Sequence, residues 1–487
     1  MGSNIIMSMK IAVIVPRQAP SKLLSDFYLD LAGGNVIVDT FSWFGEDLSW
    51  HSPKNFTDPA HSITPTQYDF CINFTTTKLE KIRTLVTAER IIETNYRLKR
   101  KLSIKSLIPI LLQSSVTPFC IEVFDSNSSI RGILACGKTE TCGTWEENDK
   151  KLLRLILFLL TDLIRAEKMN LQPISDTANS NYSKSIISNF IKICKYFVYT
   201  YPKQIVDRIL NKFLGRVYRH KEDPTWHIAH TLSNPIQDSR LKLTYIKNPS
   251  GFFLADPFVV NQGTKSYCFV EQYDNVANRG HISVFPITSS SDVPLTPILV
   301  EDFHMSFPFI FEYMGEHYMC PETSRIGEIR LYKATKFPYQ WNFFATIMKC
   351  VSAADTMIFE MNGKWWMFTN IDRAGLGTHN LELHIYFSDS PLSNSWKPHK
   401  LNPIYQDCLK ARNGGILKDA IDTYRVSQIQ GFSQYGEGIR INRIVVLNEN
   451  EYSEIEVKRY VKDFARNSKG NHHMHSDGGI VVLDYFA

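Results

Sequence analysis

The sequence predicts a multidomain protein in which a small α/β domain and a helical connector precede a C-terminal five-bladed β-propeller. Two observations predict this architecture. The chain has 487 residues, 44% of them apolar, which is too long for one ordinary domain and apolar enough to fill several cores. In its second half, a short motif, an apolar strand, a turn and an aromatic-rich strand recur about every 50 residues, which is typical of propeller blades.

The first domain is predicted over residues 1–169. Apolar strand-like runs alternate there with helix-like stretches, which indicates a layered α/β domain. The strand-like runs lie at 10–15, 36–38, 70–74 and 119–123, and the helix-like stretches at 79–98 and 150–166. No Gly-x-Gly-x-x-Gly follows the first run, so a dinucleotide site is not expected.

The connector is predicted over residues 170–223 as a basic amphipathic helix pair broken at Pro202. Apolar pairs alternate there with cations such as Lys192, Lys195 and Arg208. One interpretation is a helical linker that packs its apolar face on a domain. The other is an interfacial anchor that meets anionic lipid, which would make the protein peripheral on the inner membrane.

Composition limits the class of protein and its compartment. A content of 21% charged and 12% aromatic residues excludes global disorder, and a net charge of +5 is too small to indicate a nucleic-acid partner. The nine cysteines form no Cys-x-x-Cys pair, so neither a disulfide framework nor a zinc ribbon is expected. We find no secretory signal pattern and no apolar run of membrane-spanning length, and therefore expect a cytoplasmic protein.

The propeller is predicted over residues 224–487. Its repeats open at Asp256, Ser306, Asp355 and Arg412. The last strand-like run, 479–484, has no downstream partner, and we expect it to close the ring with 226–232, because closure removes exposed sheet edges.

The inner strands of a propeller converge on a central funnel, so the residues that open the repeats should meet at its axis. The strands that follow add Glu271, Glu322, Arg425 and Gln428, and His304 and Asn413 complete the set of candidate site residues. Carboxylates gathered in this way repel one another and separate their pKa values, which suits acid–base chemistry or a metal ion. Asp355 is the candidate ligand for a divalent cation such as Mg²⁺.

Several of these residues have a second interpretation. Asp256 could satisfy local backbone groups, and Glu322 could pair with an arginine. Two adjacent tryptophans, Trp365 and Trp366, fit the core of a blade better than a sugar platform. Four histidines lack the spacing of a zinc site, and most of them are expected at the surface or in packing; they are His304, His472, His473 and His475.

The ordered motifs of this region resemble the propeller of glucosamine inositolphosphorylceramide transferase N-terminal-domain proteins. The resemblance rests on 255–259, 280–284, 304–309, 321–323, 337–341, 365–368, 390–392, 402–403, 424–428 and 435–436. Bacterial relatives often have a formyltransferase-like domain in front. The first domain here is similar in its opening strand but lacks an Asn-x-His…Asp set, so the resemblance implies a degenerate copy without formyl transfer.

The propeller is also similar to the furanosidases of glycoside hydrolase family 43, and this similarity implies roles for its carboxylates. Asp256 falls on the general base of that family and Asp355 on the residue that tunes pKa. The general-acid position in the fourth blade has no carboxylate, because Arg412 and Asn413 stand there. A hydrolase needs that acid to protonate its leaving group, whereas a phosphate leaving group is already stable as an anion and needs positive charge.

We therefore expect a glycosyltransferase of bacterial surface polysaccharide synthesis. It would transfer a furanosyl or phosphoribosyl group from a phosphate-activated donor to a glycan or lipid-linked glycan acceptor. Asp256 would be the base, Asp355 would tune it, and Arg412 and Arg425 would bind the donor phosphates. Two alternatives stay open: a furanoside hydrolase that uses Glu322 or Glu271 as its acid, and a non-catalytic glycan-binding propeller.

Overall fold

The computed structural model describes two compact units, 1–210 and 211–487. The described residues of the first unit are 9–16, 27, 36–44, 47–51, 68–74, 88–94, 109–110, 114–125, 131–165, 198 and 202. Those of the second are 225–238, 240–432, 434–461, 464–465 and 467–487. The predicted connector lies outside the described residues except for 198 and 202, so both interpretations of it stay predictions.

The first unit contains a seven-stranded sheet of order β3-β2-β1-β4-β5-β6-β7. Its strands are β1 Met9–Pro16, β2 Val36–Phe44, β3 Asp47–His51, β4 Tyr68–Asn73, β5 Ala88–Thr94, β6 Val116–Asp125 and β7 Arg131–Glu140. The pairs β1–β2, β1–β4 and β4–β5 are parallel, and the remaining pairs are antiparallel. Four of the strands lie on the predicted strand-like runs.

One helix is described in this unit, α1 Trp145–Arg165. Thr144 caps it, because its Oγ1 accepts from the N–H of Glu147 at 3.4 Å and donates to the Glu147 carboxylate at 2.9 Å. No described helix is long and apolar enough to cross a membrane.

The helix predicted at 79–98 is wrong over its second half, where β5 lies. Ile91 and Ile92 of β5 are fully buried between two neighbouring strands. Burial in the sheet outweighs the helical spacing of the apolar residues, a competition that the local sequence does not reveal.

The second unit is a propeller of five antiparallel sheets, as predicted. Blade 1 comprises β10 Phe252–Gln262, β11 Lys265–Asp274, β12 Arg279–Pro286 and β13 Thr296–Leu299. Blade 2 comprises β14 Ser306–Tyr313, β15 Glu316–Glu322, β16 Glu328–Lys336 and β17 Gln340–Lys349. Blade 3 comprises β18 Ala353–Met361, β19 Lys364–Ile371, β20 Glu382–Ser388 and β21 Lys397–Pro398, with β22 Tyr405–Gln406 also paired to β20. Blade 4 comprises β23 Asn413–Lys418, β24 Thr423–Gly431, β25 Gln434–Leu447 and β26 Tyr452–Val461.

Blade 5 closes the ring by joining the two ends of the propeller. It comprises β27 Met474–Asp477, β28 Ile480–Phe486, β8 Trp226–Thr231 and β9 Thr244–Ile246. Strand β28 pairs antiparallel with β8, from Val481 opposite Thr231 to Phe486 opposite Trp226. The predicted closure is therefore confirmed, and it leaves neither terminal strand as a free sheet edge.

A bulge interrupts the inner strand of each of the first four blades at the same place. The register shifts at Ala255/Phe258, Ser306/Phe309, Ala354/Met357 and Asn413/Ile416. The first residue of the bulge is Asp256, Phe307, Asp355 or Gly414. Asp256 and Asp355 both have φ of +48°, and Phe307 has φ of +46°. The bulges turn these side chains out of the regular strand alternation.

The tryptophan pair of blade 3 has two different environments. Trp366 is 1% exposed, and its Nε1 donates to the carbonyl of Met361 at 3.0 Å, so it belongs to the core of the blade as predicted. Trp365 is partly buried and lines a cavity of about 470 Å³ beside the distal part of the inner strands.

Candidate functional site

The first carboxylate of the site belongs to Asp256, on the bulge of blade 1. Its side chain is buried, and its Oδ2 accepts from the backbone N–H of Phe307 at 3.2 Å. A non-glycine residue at φ of +48° costs of the order of 1–3 kcal/mol, although aspartate tolerates this region better than most. The sequence-based alternative, in which Asp256 accepts hydrogen bonds from nearby backbone N–H groups, therefore describes Oδ2 but not Oδ1.

The other oxygen of Asp256 faces a histidine from blade 5. The ring Nε2 of His472 lies 3.0 Å from Asp256 Oδ1, and its Nδ1 lies 3.2 Å from Asp484 Oδ2. His472 is 4% exposed and Asp484 is fully buried. The imidazole therefore stands between two buried carboxyl groups. His472 is therefore not a surface histidine, and it contacts carboxylates as well as packing against the ring of Trp226.

Backbone N–H groups hold Asp484 in place. Its Oδ1 accepts from the N–H of His472 at 3.0 Å and of His473 at 2.9 Å, and its Oδ2 accepts from the N–H of Asp256 at 3.2 Å. Burial raises the pKa of Asp484 to about 6, although His472 acts in the opposite direction.

Burial and charge oppose each other at Asp256 and His472. Burial alone would raise the pKa of Asp256, but contact with His472, together with His473 and Arg412, leaves that pKa below its ordinary value. Burial alone would lower the pKa of His472, but Asp484 and Asp256 raise it above its ordinary value. Asp256 is therefore an ionised carboxylate at neutral pH.

The second carboxylate, Asp355 on the bulge of blade 3, pairs with Arg412. Arg412 Nε donates to Oδ2 at 2.6 Å, and Nη2 donates to Oδ1 at 3.3 Å. Gln428 Nε2 donates to the same Oδ2 at 3.1 Å. Burial raises the pKa of Asp355 to about 7; Arg412 opposes this shift, and Glu322 adds to it.

Two glutamates from the second strands of blades 1 and 2 complete the acidic group. Glu322 Oε2 lies 3.7 Å from Arg412 Nη2. This contact agrees with the second interpretation of Glu322, in which it pairs with an arginine. Glu271 Oε1 lies 3.6 Å from His304 Nε2. Burial and repulsion from Asp256 and Glu322 raise the pKa of Glu271 well above its ordinary value, so this carboxyl takes up a proton more readily than an exposed glutamate.

His304 accepts a hydrogen bond at Nδ1 from the N–H of Gly280 at 2.9 Å. Burial lowers the pKa of His304, so its ring is neutral. Gly280 leaves no room for a side chain, because a Cβ there would lie 2.7 Å from the carbonyl oxygen of Met305. The fold therefore brings two of the predicted site residues, His304 and Glu271, into contact.

The structure does not support Arg425 as a ligand for donor phosphates. Its side chain is fully buried; Nε and Nη2 donate to Glu454 at 2.8 and 2.7 Å, and Nη2 also donates to the carbonyl of Lys410 at 2.7 Å. Arg425 is an internal brace of blade 4, because its guanidinium is enclosed and already paired.

Asn413 and Gln428 support Asp355 instead of facing an open cleft. Both are fully buried. Asn413 Nδ2 donates to the carbonyl oxygen of Asp355 at 2.9 Å, and Gln428 also donates to the carbonyl of Asn413 at 2.7 Å. Asn413 and Gln428 therefore hold the bulge of blade 3 in place, and their buried side chains do not have the predicted role in substrate binding.

Besides His472 and Asp484, two residues that the sequence does not predict lie beside the site, Arg325 and Tyr435. Arg325 is exposed on the 3-10 turn Ser324–Ile326, directly after Glu322, and its charge helps to lower the pKa of His304. Within the described ranges, no carboxylate lies within 4.0 Å of its guanidinium. Tyr435 is 43% exposed, and its ring centroid lies 5.6 Å from Arg412 Cζ and 5.1 Å from the ring of His472. In the sequence, Arg325 could have been identified as a site residue from its position directly after the Pro-Glu-Thr-Ser motif that contains Glu322.

The described residues contain one group with the ligand atoms of a metal site, Asp256, His472 and Asp484, whose atoms lie within 4.8 Å of one another. The two ring nitrogens of His472 face different carboxylates, so a cation bound to one nitrogen would replace the direct contact of that nitrogen with its carboxylate. At Asp355, the earlier candidate, both oxygens accept from Arg412, and a cation would have to displace that guanidinium.

The fold and the site together define a five-bladed β-propeller with an acidic, largely buried axial site. The chain belongs to the family "Glucosamine inositolphosphorylceramide transferase 1, N-terminal", whose profile matches residues 217–478, more than half of the chain. This family membership confirms the resemblance that the motifs of the propeller predict.

Similar curated proteins include glucosamine inositolphosphorylceramide transferase 1 from Arabidopsis thaliana, 41% identical over 212 residues, which are 42% of this chain and 27% of that protein. The protein of the same name from Oryza sativa subsp. japonica is 34% identical over 253 residues, 48% of this chain and 33% of that protein. The chain thus spans about a third or less of the length of these relatives.

Solved structures with similar propellers include the catalytic domain of the Coprinopsis cinerea GH62 α-L-arabinofuranosidase, with a TM-score of 0.37, 10% identity and coverage of 54% of this chain and 97% of that chain. A family 117 glycoside hydrolase from Zobellia galactanivorans has a TM-score of 0.35 and 10% identity, and covers 49% of this chain and 86% of that chain. Scores this low support no conclusion about function.

Proposed function

We propose that this protein is a glycosyltransferase in which Asp256 removes the proton from an acceptor hydroxyl. The observation that supports this role is the buried contact of Asp256 with His472, which keeps the carboxylate ionised at the bulge of blade 1. An ionised carboxylate with one oxygen bound to backbone is held in a fixed orientation, as a general base requires.

The donor is a sugar activated by phosphate or diphosphate. Blade 4 offers Arg412 where a hydrolase of similar plan offers its acid, and a guanidinium stabilises the negative charge that develops on a phosphate leaving group. Arg412 is neutralised in part by Asp355, so we assign the first contact with the donor phosphates to Arg325, the exposed cation beside Glu322. A divalent cation bound with the donor would add to the same charge.

The acceptor is a hydroxyl of a glycan or of a lipid-linked glycan. The relatives are named for a transferase of inositolphosphorylceramide, and a phosphorylated, polyhydroxylated headgroup is chemically consistent with a site that combines carboxylates with arginines. The furanosyl or phosphoribosyl donor, the assembly of bacterial surface polysaccharide and a cytoplasmic site on the inner membrane are finer parts of the same proposal.

The test is a screen of phosphate-activated sugar donors with glycan and inositol-phospholipid acceptors, in which both transfer and donor hydrolysis are measured, with and without Mg²⁺. The proposal expects transfer that depends on the acceptor for at least one donor. Hydrolysis of unactivated glycosides by the same preparation, without any transfer, would contradict it. Binding of a glycan without turnover of any donor would favour the glycan-binding alternative.

One observation favours a second candidate, a glycoside hydrolase. Glu271 is a buried carboxyl whose pKa is raised well above its ordinary value, and a raised pKa is the property of a general acid. In a hydrolase, Glu271→Gln would abolish cleavage of glycosides with poor leaving groups and spare those with activated leaving groups. In the transferase, the same substitution would leave donor cleavage within a few fold of the parent protein.

A further inference from the structure

A second cavity lies on the axis of the propeller, at the end of the inner strands away from Asp256. Its volume is about 470 Å³, and the inner strands of all five blades line it. Each strand contributes one polar residue to it: Asn261, Glu312, Glu360, Lys418 and Asp477. We call this space the distal cavity. Its volume lies within the range of about 300–1,000 Å³ that is usual for ligand sites.

A buried layer of side chains separates the distal cavity from the carboxylates of the axial site. Phe258 and Phe307 are 1% and 0% exposed, and their rings pack against the ring of His473 with centroid separations of 4.5 and 5.2 Å. Along β10, this layer lies between Asp256 and Asn261, which are roughly 15 Å apart at the rise of an extended strand. A ligand in the distal cavity therefore does not reach Asp256.

Trp365 forms an aromatic wall of the distal cavity. It is only partly buried, whereas Trp366 is 1% exposed in the core of the blade. The rings of Phe311 and Tyr313 each lie 5.6 Å from the ring of Trp365 and support it from the side of blade 2. A supported aromatic face that borders an open space can pack against the C–H groups on one face of a sugar ring.

Polar partners for the hydroxyls at the edge of a sugar ring lie beside this wall. Glu360 stands directly opposite Trp365 in the ladder of β18 and β19, so their side chains are neighbours on one face of the sheet. Asn261 Nδ2 is buried and has no hydrogen-bond partner in the part of the chain that the structure describes. Lys418 adds an ammonium donor. The cavity thus offers both acceptors and donors, and a sugar hydroxyl needs both.

The charges of the distal cavity indicate the class of ligand. Its ionisable groups are three carboxyls, one amine and two histidines: Glu312, Glu360, Asp477, Lys418, His317 and His475. Burial lowers the pKa of both histidines, so their rings are neutral at pH 7. The carboxylates outnumber the amine and would repel a phosphate or carboxylate on a ligand. Lys418 interacts with Glu360 and Asp477, so a cationic ligand would meet a positive charge that is already in place. A neutral ligand rich in hydroxyl groups avoids both costs.

We propose that the distal cavity is a second carbohydrate site, which binds a neutral, pyranose-based oligosaccharide with one sugar ring stacked on Trp365. Glu312 and Glu360 accept hydrogen bonds from its hydroxyls, and Asn261 and Lys418 donate to its oxygens. The site goes beyond the proposed function and does not rest on it, because binding here requires neither a donor nor Asp256. In a glycosyltransferase, it would hold a glycan chain on the face opposite the reacting groups.

The test is a calorimetric titration of the 487-residue chain with three neutral trisaccharides: cellotriose, maltotriose and mannotriose. Spermidine and the trisaccharide of galacturonate are the charged probes. We expect at least one neutral trisaccharide to bind, with a Kd that changes by less than about 2-fold between about 50 and 500 mM NaCl, because no ion pair forms. No binding of a neutral trisaccharide would overturn the inference. Tighter, salt-sensitive binding of either charged probe would also overturn it.

Point variants locate the bound trisaccharide. Trp365→Ala should weaken its binding by at least about 10-fold, because the stacking surface is lost. Glu312→Ala changes an exposed side chain, so the test does not depend on the folding of the tryptophan variant; it should weaken binding by at least about 3-fold. Phe343→Ala is the matched control, because Phe343 is a 54% exposed aromatic on the outer strand β17, and it should bind as the parent protein does.

Asp256→Asn separates the two sites of the axis. This variant should bind the trisaccharide with parental affinity, because the distal cavity does not include Asp256. Weaker binding in Asp256→Asn, with no change in Trp365→Ala and Glu312→Ala, would place the sugar in the axial site and overturn the inference. A parent protein that transfers from no donor would contradict the proposed function and leave the result for the distal cavity as it stands.

Discussion

Arg412 binds both oxygens of Asp355, with Nε at 2.6 Å from Oδ2 and Nη2 at 3.3 Å from Oδ1, although 57 residues separate them in sequence. The pair joins the start of the inner strand of blade 4 to the bulge of blade 3, and Glu322 of blade 2 lies 3.7 Å from the same guanidinium. One arginine thus links three blades at the axis.

Loss of one partner of this pair should destabilise the propeller. The side chains of Asp355 and Arg412 are 3% and 12% exposed, so removing either leaves a buried charge without its counter-ion. We expect Arg412→Ala to lower the free energy of unfolding by about 3–5 kcal/mol, measured by urea denaturation. Arg459→Ala, which breaks an exposed pair with Glu456, should change it by less than about 1 kcal/mol. Equal effects of the two variants would contradict the central role of the Arg412 pair.

Glu271 should make the stability of the propeller depend on pH. The pKa of Glu271 lies well above 4.5 in the folded protein and returns towards that value on unfolding. Stability from this group is therefore fully present below about pH 4.5 and is lost as the pH rises through the folded pKa. Glu271→Gln, which cannot ionise, should gain stability relative to the parent protein as the pH increases from 5 to 9, measured by urea unfolding across that range. A constant difference would show that Glu271 ionises normally.

Arg325 should contribute to donor binding. Its guanidinium is exposed beside Glu322, and the described residues provide it with no carboxylate partner within 4.0 Å. We expect Arg325→Ala to weaken the affinity for a phosphate-activated donor by about 1.5–3 kcal/mol, the scale of a lost charged hydrogen bond, with little change in Tm. Calorimetry measures the affinity, and Arg459→Ala is again the control. An unchanged affinity would remove Arg325 from the proposed phosphate site.

The blades and their closure could be predicted because each depends on a local pattern. The recurrence of strand, turn and aromatic strand identifies four inner strands, and the unpaired run at 479–484 identifies the fifth blade. In the first unit, β5 could not be identified, because the pattern of apolar residues at 79–98 fits a helix and only the neighbouring strands decide the outcome.

The contacts of the site were harder to predict, because they join distant segments. Asp256 and Asp484 are 228 residues apart, and no spacing rule connects them with His472. The partner of Arg425, Glu454, lies on another strand 29 residues later, so the local sequence predicts a phosphate ligand and does not show that the guanidinium is already paired. Several charged residues that the sequence singles out lie close together in the structure, but the sequence does not show which of them neutralise one another.

The most direct test of the central role of Asp256 is the turnover of Asp256→Asn, which keeps the size of the side chain and removes the base. With a donor and acceptor identified by the screen, we expect kcat to fall by about 100-fold or more, the usual contribution of a positioned general base, with donor affinity nearly unchanged. Asp274→Asn, at the end of β11 directly before the exposed turn of the same blade, should retain parental turnover. A folded Asp256→Asn protein with a kcat close to that of the parent would contradict the proposed mechanism.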